Sequence, residues 1–206
     1  VSLELPTSVK PKQITMPVTV WQSWMSPLQT ATAKAEAGIF CAIDEAAFIR
    51  SLNQLSDTQK DSSAMRAALL AEMKGQLAEA RSRLAERFHA ERDGADYVGA
   101  HAHALDVLIR GALNLACQHI FARKPGFGLM AVGGYGRGEL APHSDIDLLF
   151  VMPEQAAKKQ EPVIEFLLYL LWDMGLTVGH ASRTIRQNLN AADGDVTICT
   201  SLLEMR

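Results

Sequence analysis

From Ser62 to Ala90, apolar side chains recur at Leu69, Met73, Leu77, Leu84 and Phe88, at spacings of four and seven. The opposite positions carry Glu72, Lys74, Glu79, Arg83 and Glu86. That period predicts one long amphipathic helix, ended by Arg92 to Gly94. A second helix is predicted from about Tyr97 to Phe121, with Leu105, Leu108, Ile109, Ala112, Leu113, Ala116 and Ile120 on one side. The two stripes read as core packing, and the simplest arrangement is an antiparallel helical pair. Upstream, Ala31 to Leu55 is weakly helical and broken at Gly38, with Ser56 and Asp57 as a capping region for the long helix. Residues 1 to about 30 hold Pro6, Pro11, Pro17 and Pro27 and no helical period; they read as an extended arm that Trp21 and Trp24 pin to the body.

At Pro125 the pattern changes. "GLMAV" predicts a short buried strand, Gly133 to His143 a glycine-rich loop, and "DIDLLFVM" a second strand. A helix from about Lys159 to Met174 is apolar nearly all round, which marks it as buried, and Gly175 ends it. "LTVGHAS" is a third strand and Thr184 to Ala192 a short helix; "VTICTSLLEMR" fits a strand or a helix equally. The predicted organisation is an arm over 1–30, a helical region over 31–124, and a mixed α/β unit over 125–206.

Composition narrows the function classes. The chain has 206 residues, 48% hydrophobic and 21% charged, as in a soluble globular protein. Its net charge of −3 argues against a nucleic-acid binder with a general basic surface. Cys41, Cys117 and Cys199 make no disulfide framework, so a reducing cytoplasm is expected. His101 and His103 read as ordinary packing or surface residues. No apolar run is long enough for a membrane span, and no secretory signal is apparent.

The chemistry concentrates in "AVGGYGRGELAPHSDIDLLFV". On a strand, residues two apart share a face about 6.6 Å from each other. Asp145 and Asp147 therefore project side by side, while Ile146, Leu148 and Phe150 face a core. Paired carboxylates on a half-buried strand repel and raise each other's pKa unless a cation sits between them. A hard divalent ion, Mg²⁺ or Mn²⁺, suits oxygen donors and also takes substrate phosphates. Gly133, Gly134, Gly136 and Gly138 are read as positive-φ positions whose amides form an anion site. Arg137 serves either phosphate oxygens or Glu139. Ser144 either touches a phosphate or shapes the turn; Tyr135 either stacks or packs; His143 and His180 read as rim or packing residues. A P-loop is excluded because Glu139 and Leu140 follow the glycines, and a dinucleotide loop because Pro142 and a strand follow.

Gly-Gly, ten residues, then Asp-Ile-Asp resembles the signature of the polymerase-β-like nucleotidyltransferase superfamily. "VGGYGRGELAPHSDIDLLF", "FLLYLLWDMGLTVGHASRTI" and "DVTICTSLLEMR" resemble consecutive blocks of the uridylyltransferases that modify the nitrogen-regulatory PII signal protein, as does "AHALDVLIRGAL" in the preceding helix. The resemblance covers about Tyr97 to Arg206. It implies an α+β fold, with N-terminal helices packed beside a small nucleotidyltransferase sheet and its flanking helices. It implies a reaction: UTP plus a PII tyrosine gives uridylyl-PII and pyrophosphate, with Asp145 and Asp147 as catalytic metal ligands and Gly133, Gly134, Gly136, Arg137 and Ser144 at the nucleotide. Superfamily members usually add a third carboxylate. "LTVGHAS" offers none, so Glu204 in "LLEMR" is preferred over Asp195, which suits a helix cap. Full-length relatives also carry HD and ACT domains, so the chain reads as an N-terminal piece without uridylyl removal or glutamine sensing. Two other functions stay open: a related transferase with another nucleotide or acceptor, such as AMP transfer, and a silent nucleotide-sensing module.

Overall fold

In the computed structural model, residues 40–206 are described, apart from 60, 124, 125, 155 and 156. The arm over 1–30, with its prolines and tryptophans, and the break at Gly38 lie outside the described residues.

Helix α1 (Glu45–Thr58) starts where Asp44 accepts a hydrogen bond from the Ala47 amide, at 2.9 Å. It buries Phe48 and Leu52 against helix α3 (Gly94–Leu115). Gly111 of α3 permits that approach, since a Cβ there would lie 2.5 Å from Phe48 Cε1. Ser56 and Asp57 fall inside α1. The cap of helix α2 (Ser62–Glu91) is Asp61, which accepts from the Ala64 amide at 2.8 Å. A capping role needs extended backbone before the first turn, and the chain adopts it only after Thr58.

Along α2, Met65, Leu69, Met73, Leu77, Ala80 and Leu84 are buried, the predicted stripe, while Phe88 stays on its exposed rim. Arg92 takes the left-handed conformation (φ 59°) and closes α2. Asp93 then caps α3 through the Ala95 and Asp96 amides. The link between the two helices is therefore only two residues long, and they pack against one another. Arg87 and Asp96 bridge them at 2.7 Å. The last turn of α3 widens into a π-turn over Ala116–Ile120.

Strand β1 (Gly128–Ala131) pairs antiparallel with β2 (Ile146–Met152), Ala131 opposite Leu148. Strand β3 (Val178–Thr184) lies parallel to β2, with Asp147 opposite Gly179 and Val151 opposite Arg183. The order is β1-β2-β3, a small mixed sheet in an otherwise helical chain. The expected α+β class holds. A four-residue helical turn, α4 (Gly133–Gly136), links β1 towards β2, and helix α5 (Ala157–Asp173) links β2 to β3.

Ile146, Leu148 and Phe150 are buried, as their alternation predicts. Val163, Leu167, Leu170 and Leu171 of α5 join the same core, which runs without a break from Ala42 to Val178. Burying Leu171 or Phe150 in full stabilises by roughly 1.5–3 kcal/mol each. The expectation of an all-round buried α5 is corrected at Tyr169 and Trp172, which are exposed and meet edge to face at 5.5 Å. Aromatic rings with a polar edge tolerate such half-wet positions.

After β3, Thr184 and Gln187 form a reciprocal capping box that starts helix α6 (Ile185–Gly194). The ambiguous C-terminal segment is helix α7 (Val196–Leu203), started by Asp195, whose carboxylate accepts from the Thr197 and Ile198 amides. Those amides hold the Asp195 pKa below its ordinary value. Past α7 the chain returns to β1: Arg206 and Ala131 exchange both backbone hydrogen bonds at 3.1 Å. No helix among the described residues is long and apolar enough to cross a membrane.

Candidate active site

The site grows from the end of β1. Val132 donates to the Asp147 carbonyl at 3.0 Å, and Gly133 then takes φ +61°. A residue with a Cβ strains in that region, so glycine is required there. The chain turns once as α4, with Gly136 N–H donating to Val132 O, Arg137 to Gly133 O and Glu139 to Gly134 O, at 2.9, 3.0 and 2.9 Å. Gly138 follows at φ +74°.

The reading of four positive-φ glycines is corrected at two positions. Gly134 and Gly136 are helical in φ, because the segment is a turn of helix and not an open loop. Gly136 is needed for room: a Cβ there would lie 2.5 Å from the Glu204 carbonyl oxygen and 3.0 Å from that of Ala131. At Gly134 a Cβ would meet Glu139 O at 3.3 Å.

Between the turn and β2, His143 takes φ 65° and stays exposed, and the Ser144 amide donates to Ala141 O at 3.2 Å. Ser144 thus shapes the turn through its backbone. Asp145 is exposed just before the strand, and Asp147 is half-buried on it. The Asp147 carboxylate sits between two glycines. A Cβ on Gly179 would be 2.6 Å from its Oδ1, and one on Gly133 would be 3.1 Å from its Oδ2. Burial, and then the neighbouring charge of Asp145, push the Asp147 pKa above the usual carboxylate value.

Beside this cradle lies a cavity of about 280 Å³, lined among others by Gly133, Asp147, Gly179, Arg183, Thr197 and Ser201. Its floor is the outward face of β2 and β3, and α7 supplies one wall.

Arg137 and Glu204 do not join the aspartates. Arg137 Nε meets Glu139 Oε2, and Arg137 Nη1 meets Glu204 Oε2, both at 2.9 Å. Among the described residues, no three His, Cys, Asp or Glu side chains form a group that could hold a metal ion. Glu204, expected as the third ligand, is thus drawn to the Arg137 guanidinium, which neutralises it. Asp195 serves its cap. His180 rests against the Trp172 ring at 6.1 Å, on the rim.

Two features escaped the sequence reading, and for a third, Tyr135, the sequence leaves stacking and packing open. Gly179 makes room for Asp147, and its signal was a glycine inside a strand, a mark of close approach. Arg183 lines the cavity. Tyr135, fully buried, donates from its hydroxyl to Asp106 Oδ1 at 2.7 Å. Arg206 completes that cluster, pairing with Asp106 at 2.6 and 3.0 Å, donating to Tyr135 O at 3.1 Å and covering the Tyr135 ring. Burial, and then Asp106, drive the Tyr135 phenol well above its ordinary pKa. The cluster anchors α4 to α3.

Residues 117–187, which span β1, the glycine turn, both aspartates and β3, match the nucleotidyltransferase domain family. They form a nucleotidyltransferase domain. The chain belongs to the family of the bifunctional uridylyltransferase/uridylyl-removing enzymes, as the resemblance implied. This nucleotidyltransferase chain is similar to the bifunctional uridylyltransferase/uridylyl-removing enzyme of Rhodospirillum rubrum, 42% identical over 170 residues, 80% of the chain and 18% of the relative. Proteins of the same name from Azospirillum brasilense (42% over 147 residues, 69% of the chain, 16% of the relative) and Phenylobacterium zucineum (44% over 151 residues, 71% and 16%) are likewise similar. The chain thus spans about a sixth of the length of these relatives.

Proposed function

We propose that this nucleotidyltransferase moves UMP from UTP to a tyrosine hydroxyl of the PII signal protein, releasing pyrophosphate, in the cytoplasm. The observation that carries the reading is the Asp147 carboxylate, set between Gly133 and Gly179 beside Asp145 and lining the cavity along β2 and β3. The choice of uridylyl group and protein acceptor is supported by the name that the relatives share.

Asp145 and Asp147 fit a hard divalent cation, Mg²⁺ or Mn²⁺. They offer oxygen donors only, and no side chain fills the space beside Asp147 at Gly133 or Gly179. Because two carboxylates and not three come together, phosphate oxygens and water would complete the coordination. Bound there, the cation would neutralise the phosphate charge and favour the ionised form of the attacking hydroxyl.

The chain's own part is to hold and orient. Asp145 and Asp147 fix the site from which the α-phosphate is presented. The amide of Gly133, which lines the cavity and is left over by the turn's own bonding, is available to phosphate oxygens. The tyrosine oxygen bonds to the α-phosphorus as the bond from that phosphorus to the bridging oxygen of the β-phosphate breaks. Pyrophosphate carries the electron pair away, and the phenolic proton ends on solvent.

The test is incubation with PII, Mg²⁺ and labelled UTP, with ATP, CTP and GTP in parallel. Label on PII from UTP, lost in Asp147→Asn, supports the reading. Label from ATP alone would make the domain an adenylyl transferase, and nucleotide binding without transfer to any acceptor would make it a sensing module.

A further inference from the structure

Two arginines stand near the cavity, and they differ in what already holds them. Arg137, in the glycine segment, is shared between Glu139 and Glu204. Arg183 lines the cavity itself, and its guanidinium makes no ion pair or hydrogen bond among the described residues. Its neighbour Arg186 is paired with Glu154. Apart from His180 on the rim, Arg183 is the only basic residue in the cavity lining among the described residues.

The sheet register puts Arg183 on the reacting face. Asp147 pairs with Gly179, Leu149 with Ala181 and Val151 with Arg183. Residues two apart on a strand share a face, so Gly179, Ala181 and Arg183 form one row beside Asp147, Leu149 and Val151. From Gly179 to Arg183 the backbone runs about 13 Å. A triphosphate and the arginine's own side chain together cover that gap. The first two residues of the row are small, glycine and alanine, and leave the floor clear.

A half-buried guanidinium without a counter-ion is costly, and here the nearest carboxylate in the cavity stands at its other end. An anion relieves that cost, and a planar guanidinium matches phosphate oxygens in a two-pronged fork. We propose that Arg183, and not Arg137, binds the pyrophosphate portion of the nucleotide, at the end of the cavity away from Asp147. The proposal rests on the cavity being the nucleotide site and does not depend on which base or acceptor is used. Arg137 instead ties Glu204, at the end of α7, to the glycine turn.

The experiment measures binding of inorganic pyrophosphate with Mg²⁺ to the protein by calorimetry, with no turnover required, and the KM for UTP in parallel. Arg183→Gln should weaken pyrophosphate about tenfold to a hundredfold, the range for one lost charge-assisted hydrogen-bonding group. Arg183→Lys should recover part of it, and Arg137→Gln should weaken it less than Arg183→Gln does. Melting temperatures of the variants separate binding from folding. Unchanged pyrophosphate affinity in Arg183→Gln overturns the proposal. So does a raised KM for UTP with pyrophosphate affinity intact, because Arg183 would then touch the base or sugar. If pyrophosphate binding depends on Arg183 while no uridylyl transfer occurs, the proposal stands and the uridylyltransferase reading fails.

Discussion

Gly179 lies directly opposite Asp147 in the parallel register, and a single added methyl group there would come within 2.6 Å of Asp147 Oδ1. The fixed β2 backbone leaves the carboxylate one way to yield, which is to rotate out of its cradle. Gly179→Ala should therefore lower kcat about a hundredfold, the scale expected for a catalytic group displaced by an ångström. Gly179→Val should lower it further. Far-ultraviolet circular dichroism should stay as in the parent, because β-branched residues suit strands. A fully active Gly179→Ala protein would show that Asp147 does not need its observed position.

Asp145→Asn and Asp147→Asn each remove one charge and keep the shape. Transfer of label from UTP should disappear in both. The melting temperature should hold or rise for Asp147→Asn, since burial and the Asp145 charge already disfavour its ionised form. Near-normal kcat with Mg²⁺ in either variant would remove the aspartates from the reaction.

Tyr135→Phe deletes the hydroxyl that donates to Asp106 and leaves the Asp106–Arg206 pair in place. Denaturant unfolding should show a loss of about 1.5–3 kcal/mol, the value for a hydrogen bond to a charged partner. Arg206→Ala should cost more, because it leaves Asp106 and the Tyr135 carbonyl with fewer donors. Equal stabilities for parent and Tyr135→Phe would mean that the phenol merely fills space.

His101 predicts a pH dependence of stability. It is buried in α3, its Nδ1 lies 3.1 Å from the Leu140 carbonyl, and burial lowers its pKa although the carbonyl works in the other direction. The folded chain therefore keeps the imidazole neutral at a pH where the unfolded chain has begun to take up a proton, near about 6.5. Below that pH the unfolded state binds more protons, so stability falls as pH falls. Melting temperatures measured from about pH 7.5 down to about pH 5.5 should drop more steeply for the parent than for His101→Gln. Parallel slopes would assign the acid sensitivity to other groups.

The sequence made the helices and strands readable where side chains repeat with a clear period. The α2 stripe from Leu69 to Leu84 and the alternation Ile146, Leu148, Phe150 both fold as they read. Asp145 and Asp147 were readable because their chemistry is written in adjacent residues. The parts that were not readable depend on partners distant in the chain. The role of Gly179 exists only through its register with Asp147, and Arg137, besides the neighbouring Glu139 that the sequence offered, is held by Glu204, 67 residues away. The α7 segment, rich in Val, Thr and Ile, satisfied strand and helix patterns alike; the Asp195 cap decides for the helix. Gly136 was correctly singled out for the wrong reason, since backbone crowding by Glu204 and Ala131, and not dihedral freedom, requires it.

Glycines are the residues that lose most freedom when a chain becomes ordered, and four of them stand within the six positions from Gly133 to Gly138. Here that loss is taken during folding. Tyr135, locked under Asp106 and Arg206, holds the segment as a closed turn before any nucleotide arrives. An incoming triphosphate therefore meets a backbone turn already set in place, and none of its binding free energy is diverted to ordering the most pliable stretch of the chain. Its capture should show a single kinetic phase, linear in nucleotide concentration, with no slow rearrangement of the turn behind it.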